Sequence, residues 1–462
     1  MRKSRKNKKV VDDFQTIYTV SNAVKHGNGA TKLSMLILGF GNLANKQIVK
    51  GLLFLIGEVI YIAYMAMSGV ASLAMLPSLG DTEQQEVWNE AKGIYEYVQG
   101  DNSLLILLFG IVTLFITAFF IVFWRAAVKS AYKAQYLKEQ GMHLNTFGED
   151  VKDLFNKNLQ KSLMSLPFAG ILVFSILPLV FMICMAFTNY SKIDDHLTLF
   201  DWVGFDNFAK VLNFGDSIGQ TFWSVLGWTI IWAFFATFLN YFFGMILAIV
   251  INRKGTRFKA FWRFCFVLSI AVPQFVSLMI MRTMLQPDGP VNVLLRNMGL
   301  LADGGALPFF TNATWARVTV IVINLWVGIP FTMLQVTGIL QNIPAELYEA
   351  ARVDGANAVV TFFKITLPYM LFVTAPYLIT QFTGNINNFN VIYLLSGGAP
   401  VPVGQTAGKT DLLVTWLYKL TVDNQYYNLG AVIGILTFIV LAIISIVTYR
   451  NTGAYKNEEE FQ

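Results

Sequence analysis

What most constrains this chain is its succession of long apolar runs with few charges inside them. An α-helix needs about 20 apolar residues to cross the hydrocarbon of a bilayer. Eight such runs stand at roughly 50–73, 103–124, 163–187, 224–251, 264–285, 316–338, 367–394 and 430–449. They are continuous, whereas a membrane barrel would show alternating segments of about 10 residues. Backbone groups in lipid must hydrogen-bond within their own segment, so each run is predicted to be a helix. The expected fold class is an all-α polytopic membrane protein with eight transmembrane helices. Composition agrees: 55% of the 462 residues are hydrophobic and 13% are charged, against about 25% charged in soluble domains.

The charges that remain are sorted between alternate loops. Residues 1–47 hold nine Lys/Arg and two acids, the 125–161 loop seven and four, and the 252–263 loop five and none. By contrast, 78–102 holds six acids and one lysine, and 188–222 five acids and two lysines. Basic loops stay in the cytoplasm. Both termini are therefore expected inside, with 339–366 cytoplasmic and 395–429 outside. The net charge of +6 is explained by this orientation signal rather than by nucleic acid. The start is not a signal peptide, because a polar segment, Asp12 to Lys50, follows the basic stretch Arg2 to Lys9 where an apolar region should come. A weakly apolar patch at Leu33–Phe40 is too short to span; it is expected along the membrane surface or as a solvated helix. Cys184 and Cys265 lie in apolar runs and read as small buried hydrophobes.

The segment between the sixth and seventh runs carries the most specific pattern. It reads Gln341 to Gly355, then Ala356 to Lys364, then Ile365-Thr-Leu-Pro368, and predicts a short helix, a turn and a second helix. Pro344 suits a first helical turn. Glu346 and Glu349 suit the positive end of the helix, and Gly355 suits a left-handed stop. Leu347, Ala350 and Ala351 fall at i, i+3 and i+4 and make one small apolar face, a shape fit for another protein's groove.

The pattern Glu349-Ala350-Ala351, three residues, Gly355, nine residues, Ile365, one residue, Leu367-Pro368 resembles the cytoplasmic EAA signature of binding-protein-dependent ABC importer permeases. From about residue 160 onward the likeness is to the larger membrane subunit of maltose and maltodextrin importers. It is carried by Gly204 to Phe208, Ala271 to Pro273, Asn324 to Pro330, Asn387 to Phe389, Leu394 to Pro400 and Thr406 to Leu413. The resemblance implies the type I ABC importer permease fold. It also implies a second homologous permease, two cytoplasmic ATPase subunits that bind the Mg-ATP, an extracellular sugar-binding protein and an oligosaccharide substrate. The chain itself would perform no chemistry and hold no cofactor or metal, and would sit in a bacterial cell membrane. Pro344–Val353 would be the coupling helix, with Glu349, Ala350, Ala351, Asp354 and Gly355 as its ATPase-coupling residues. The implied organisation is a basic cytoplasmic segment at 1–47, two added helices and a cytoplasmic loop at 48–160, a permease core at 161–450 and a cytoplasmic tail at 451–462. The short 188–223 loop resembles the Gram-positive form, which lacks the folded domain some relatives carry there.

Transporter sites tend to lie near the midplane on interrupted helices. Interruptions stand at Pro273 with Gln274, at Asn324 with Gly328 and Pro330, and at Pro376, Gly384 and the amides Asn385, Asn387, Asn388 and Asn390. Amides suit hydroxyl-rich sugars, offering both donors and an acceptor; they also serve as hydrogen-bond bridges between membrane helices. The resemblance carries the sugar contacts to Ile270, Gln274, Asn324, Val327, Gly328, Gly384, Asn385 and Asn388. Ile270 and Gly384 stand where the pattern has aromatic residues, and Gln274 where it has serine, which leaves maltodextrins and galacto-oligosaccharides as alternatives.

Other signals weigh less. Gly404 to Thr410 looks like a phosphate loop, but has three residues between its glycines where the Walker pattern needs four. Glu58, inside the first run, reads as a residue paired within the bundle or reaching the interface. The histidines form no metal or catalytic spacing. An ion-coupled secondary sugar transporter is the rival, and it would need ionisable groups along its path; a membrane enzyme or scaffold lacks a catalytic constellation to support it.

Overall fold

A computed structural model describes residues 17–450 except 84, 91 and 254. The basic stretch Arg2 to Lys9 and the tail 451–462 lie outside the described residues. Among the described residues, seven helices are long and apolar enough to cross a membrane: Ile48–Met75, Ser103–Glu139, Leu159–Met185, Ser217–Asn252, Ala313–Leu340, Ala358–Leu395 and Tyr427–Arg450. An eighth span, fifth in order, is the pair Lys259–Ala271 and Gln274–Met284, bent by 85°. Pro273 sits at that break, where it cannot donate to the preceding turn. These are called the first to eighth spans. They agree with the expected all-α polytopic membrane protein.

Contacts divide the chain into two units. One comprises Met1–Tyr190 and Asp195–Trp202, the other Ser191–Asp194 and Val203–Gln462. The third span therefore packs with the N-terminal spans, although the likeness assigns it to the permease core.

In the first unit, the patch Leu33–Phe40 is not a surface helix. Short helices Gly29–Leu33 and Phe40–Ala44 flank a turn, and Leu38 is fully buried. The segment is tied to the second span: Trp124 donates to the Met35 carbonyl at 2.9 Å, and Thr31 donates to Gln135 at 2.7 Å. Glu58 accepts the Leu38 N–H at 2.8 Å, which gives its charge a partner within the unit. An antiparallel hairpin, Gln85–Asn89 with Ile94–Val98, occupies the acidic loop. Beyond the second span, Thr146 and Glu149 form a capping box that starts helix Phe147–Phe155. Thr146 and His143 hold the Glu149 carboxyl down at about 2.

In the second unit the fourth and sixth spans cross at small residues. A Cβ on Gly244 would lie 2.7 Å from the Thr332 Cβ, and one on Gly328 would lie 2.5 Å from the Asn240 amide. Close backbone approach at small residues is how membrane helices gain packing where lipid supplies no hydrophobic drive. Two apolar clusters result. One gathers Trp228, Trp232, Leu278, Val320, Leu395 and Leu412; the other gathers Tyr241, Met245, Met333, Val336, Met370 and Leu378. Cys184 is half-buried, but Cys265 is exposed. Its side of the bent fifth span is left uncovered by the chain, so Cys265 is not the buried hydrophobe its apolar run suggested.

Candidate functional site

Between the two apolar clusters, along the fourth, sixth and seventh spans, the lining turns polar. A cavity of about 340 Å³ is bounded there by Thr237, Asn240 and Tyr241 from the fourth span, Ile270, Gln274 and Ser277 from the fifth, Asn324, Val327 and Gly328 from the sixth, and Tyr377, Gln381, Asn385 and Asn388 from the seventh. The Pro273 break puts Ile270 and Gln274 on one wall. Asn324 and Gly328 are one turn apart and share a helix face. The seventh span opens at Asn387, and Asn388 caps the continuing helix Phe389–Leu395 by accepting from Val391 N–H. No Asp, Glu, Lys or Arg is among the lining residues.

Of the residues carried over from the likeness, Ile270, Gln274, Asn324, Val327, Gly328, Asn385 and Asn388 meet around this one cavity, and Gly384 lies outside its lining. Their hydrogen bonding differs. Asn385 donates to Thr237 at 3.0 Å and so bridges the seventh and fourth spans, and Asn388 donates to Asn385 at 3.3 Å within the seventh. Trp232 donates to the Asn385 carbonyl at 3.1 Å. Gln274 is exposed. Asn324 is 5% exposed, and its Nδ2 has no partner. The fourth span is the contribution that the sequence reading missed. Its signal was Asn240, the one amide away from the ends of a 36-residue apolar helix.

The segment after the sixth span is a helix at Ala345–Val353. Pro344 stands just before it as the cap rather than in its first turn. Gly355 adopts φ +74°. Gly355 N–H donates to the Arg352 carbonyl at 3.1 Å and Ala356 N–H to the Ala351 carbonyl at 2.9 Å, the paired bonds of a Schellman stop. The expected single apolar face is divided. Ala351 is turned inward and buried, while Leu347, Glu349, Ala350 and Asp354 are exposed.

The glycine-rich stretch Gly404 to Thr410 is no phosphate cradle. Asp411 is fully buried and pairs with Lys419 at 2.7 Å. It also accepts from Gly408 N–H at 2.6 Å and from Thr415 Oγ1 at 2.9 Å. The amide a phosphate would use is already bonded, and a carboxylate stands in the anion's place.

The model of the family described as "Binding-protein-dependent transport system inner membrane component" matches residues 240–452. The galactooligosaccharides transport system permease protein GanP of Bacillus subtilis (strain 168) is 35% identical over 442 residues, covering 94% of this chain and 100% of the relative. The maltodextrin transport system permease protein MdxF of the same organism is 35% identical over 437 residues, covering 92% and 96%. Among solved structures, a bacterial ABC transporter that imports the acidic polysaccharide alginate superposes with a TM-score of 0.53 at 22% identity, covering 65% of this chain and 97% of that one; this likeness bears on the fold.

Proposed function

The chain belongs to the binding-protein-dependent transport system inner membrane components, and from that premise we propose that it carries a neutral oligosaccharide of the maltodextrin or galacto-oligosaccharide kind through the cavity of its second unit. It is a multi-pass permease subunit of an ABC importer and not an enzyme. The observation that carries the substrate reading is a cavity on the interrupted spans lined by amides and hydroxyls without a charged side chain. Amides present both donors and acceptors to a sugar's hydroxyls. Acidic sugars would call for a cationic wall that these lining residues do not supply.

In this reading a second homologous permease, two cytoplasmic ATPase subunits and an extracellular sugar-binding protein complete the importer in a bacterial cell membrane. Both chain termini face the cytoplasm. Helix Ala345–Val353 presents Glu349, Ala350 and Asp354 to an ATPase, while Ala351 and the Gly355 stop anchor it to its own chain. Closure of the ATPases then favours the state in which the cavity faces outward, through contacts that differ between the two states. The apolar clusters on either side of the cavity are the natural places for the two gates.

Uptake of labelled maltotriose in cells expressing the whole system, with and without this chain, tests the proposal, with galacto-oligosaccharides as competitors. Chain-dependent uptake supports it, and the competitor assigns the sugar. Absence of chain-dependent uptake of both sugar classes would refute the substrate reading.

A further inference from the structure

We infer that Asn240, on the fourth span, is a ligand-contact residue, and that with Asn324 it forms a donor–acceptor pair taking one hydroxyl of the transported sugar. The inference rests on reading the cavity as the sugar site. Its basis is an unmatched pair of buried atoms. Asn240 is 9% exposed and Asn324 5%, and both line the cavity. Among the described residues, four buried side-chain atoms have no hydrogen-bond partner: Asn42 Oδ1, Asn240 Oδ1, Arg263 Nε and Asn324 Nδ2. Two of these four belong to this cavity, and they are of opposite sense.

A buried polar atom without a partner costs free energy, so an unmatched pair on two residues that line one cavity marks a place kept for something polar. Oδ1 accepts and Nδ2 donates; a hydroxyl does both and answers each of them. The Asn240 amide is also held. Its Nδ2 donates to the Ala236 carbonyl at 2.7 Å, which leaves Oδ1 as the free end. Gly328 makes room for it, because a Cβ there would come within 2.5–2.6 Å of Nδ2, Cγ and Oδ1 of Asn240. Gly328 thus acts on the ligand through Asn240, as a positioning residue. Asn324 stands one turn away on the same face as Gly328, so the two free atoms flank a common stretch of the sixth span.

The test uses the complete importer in proteoliposomes, supplied from outside with labelled maltotriose or galactosyl-lactose, whichever the wild type takes up, and with the monodeoxy analogues of that sugar. Asn240→Leu is expected to lower uptake of the parent sugar by about tenfold, the size of one net hydrogen bond. For the one analogue lacking the hydroxyl that meets Asn240, wild type and variant are expected to transport alike. An equal loss across all analogues would assign Asn240 a purely structural role and overturn the inference, as would undiminished uptake of the parent sugar. Should Asn240→Leu fail to assemble, Asn240→Ala, which removes the acceptor without adding bulk, is run through the same series and judged by the same pattern. A wild-type complex that takes up neither trisaccharide overturns the sugar reading itself, and this inference with it.

Discussion

In the fourth span 44% of the most apolar stretch is buried inside the chain, and in the sixth 33%; in the first span the figure is 6%, and in the third none. Both sets of helices are apolar enough to live in lipid, but they spend their polar residues differently. In the first unit, polar side chains such as Glu58 and Gln135 accept bonds from the short segments before the first span and serve to fasten them. In the second unit, Asn240, Asn324, Asn385 and Asn388 are drawn together around a cavity between two apolar clusters. Uncharged amides inside a membrane protein face protein, water or ligand. The proposed transport path follows the lining residues of the second unit rather than the fastening residues of the first.

The contrast breaks if the polar contacts of the two units prove equally costly to lose. The largest effect is expected at Asp411, whose removal leaves Lys419 without its carboxylate. Asp411→Ala should destabilise the second unit by roughly 3–5 kcal/mol, the cost of breaking a buried pair, and lower the melting temperature of the purified complex. Gly244→Leu comes next. It forces a side chain into the crossing with Thr332 and should cost about 1–3 kcal/mol as overpacking, measured in the same melt. In the first unit, Glu58→Gln weakens one bond from Leu38 N–H, worth about 1–2 kcal/mol, and should leave uptake at its wild-type rate. Uptake abolished by Glu58→Gln in a stable complex would place part of the path in the first unit.

The smallest effect depends on pH. Glu149 is held at about 2, below its ordinary 4.5, first by Thr146 and then by His143. A depressed carboxyl stabilises the fold above its unfolded value and loses that contribution as pH falls toward its folded value. Hydrogen exchange of the first amides of helix Phe147–Phe155 should therefore quicken as pH drops from about 4.5 toward 2, beyond the intrinsic trend, and Glu149→Gln should lack that change. Because this carboxylate is solvent-exposed, the rest of the chain should not register it.

Much of the fold was legible because lipid imposes it. Eight apolar runs of spanning length leave few alternatives, and Pro273 announced the bend in the fifth. Helix Ala345–Val353 and its stop were legible because the left-handed turn at Gly355 is a local requirement. What could not be read depends on partners distant in sequence. Ala350 and Ala351 look equivalent in the pattern, but only Ala351 is buried. Gly328 lines the cavity with the other residues of the pattern, but its close approach to Asn240 joins two spans far apart in sequence. Asn240 itself is one amide in a long apolar helix, and only the crossing with the sixth span brings it into the cavity. The hairpin Gln85–Asn89 with Ile94–Val98 carries no clean alternation, because nearly every described side chain in its strands is exposed.

The most direct measurement is ATP-dependent trisaccharide uptake by the complete importer carrying Asn324→Leu, read beside the ATP hydrolysis stimulated by the sugar-loaded binding protein. If the amide-lined cavity is the path, uptake falls at least about tenfold, as for the loss of a net hydrogen bond, while stimulated hydrolysis persists, because the coupling helix is untouched. Uptake at the wild-type rate in that variant would contradict the account.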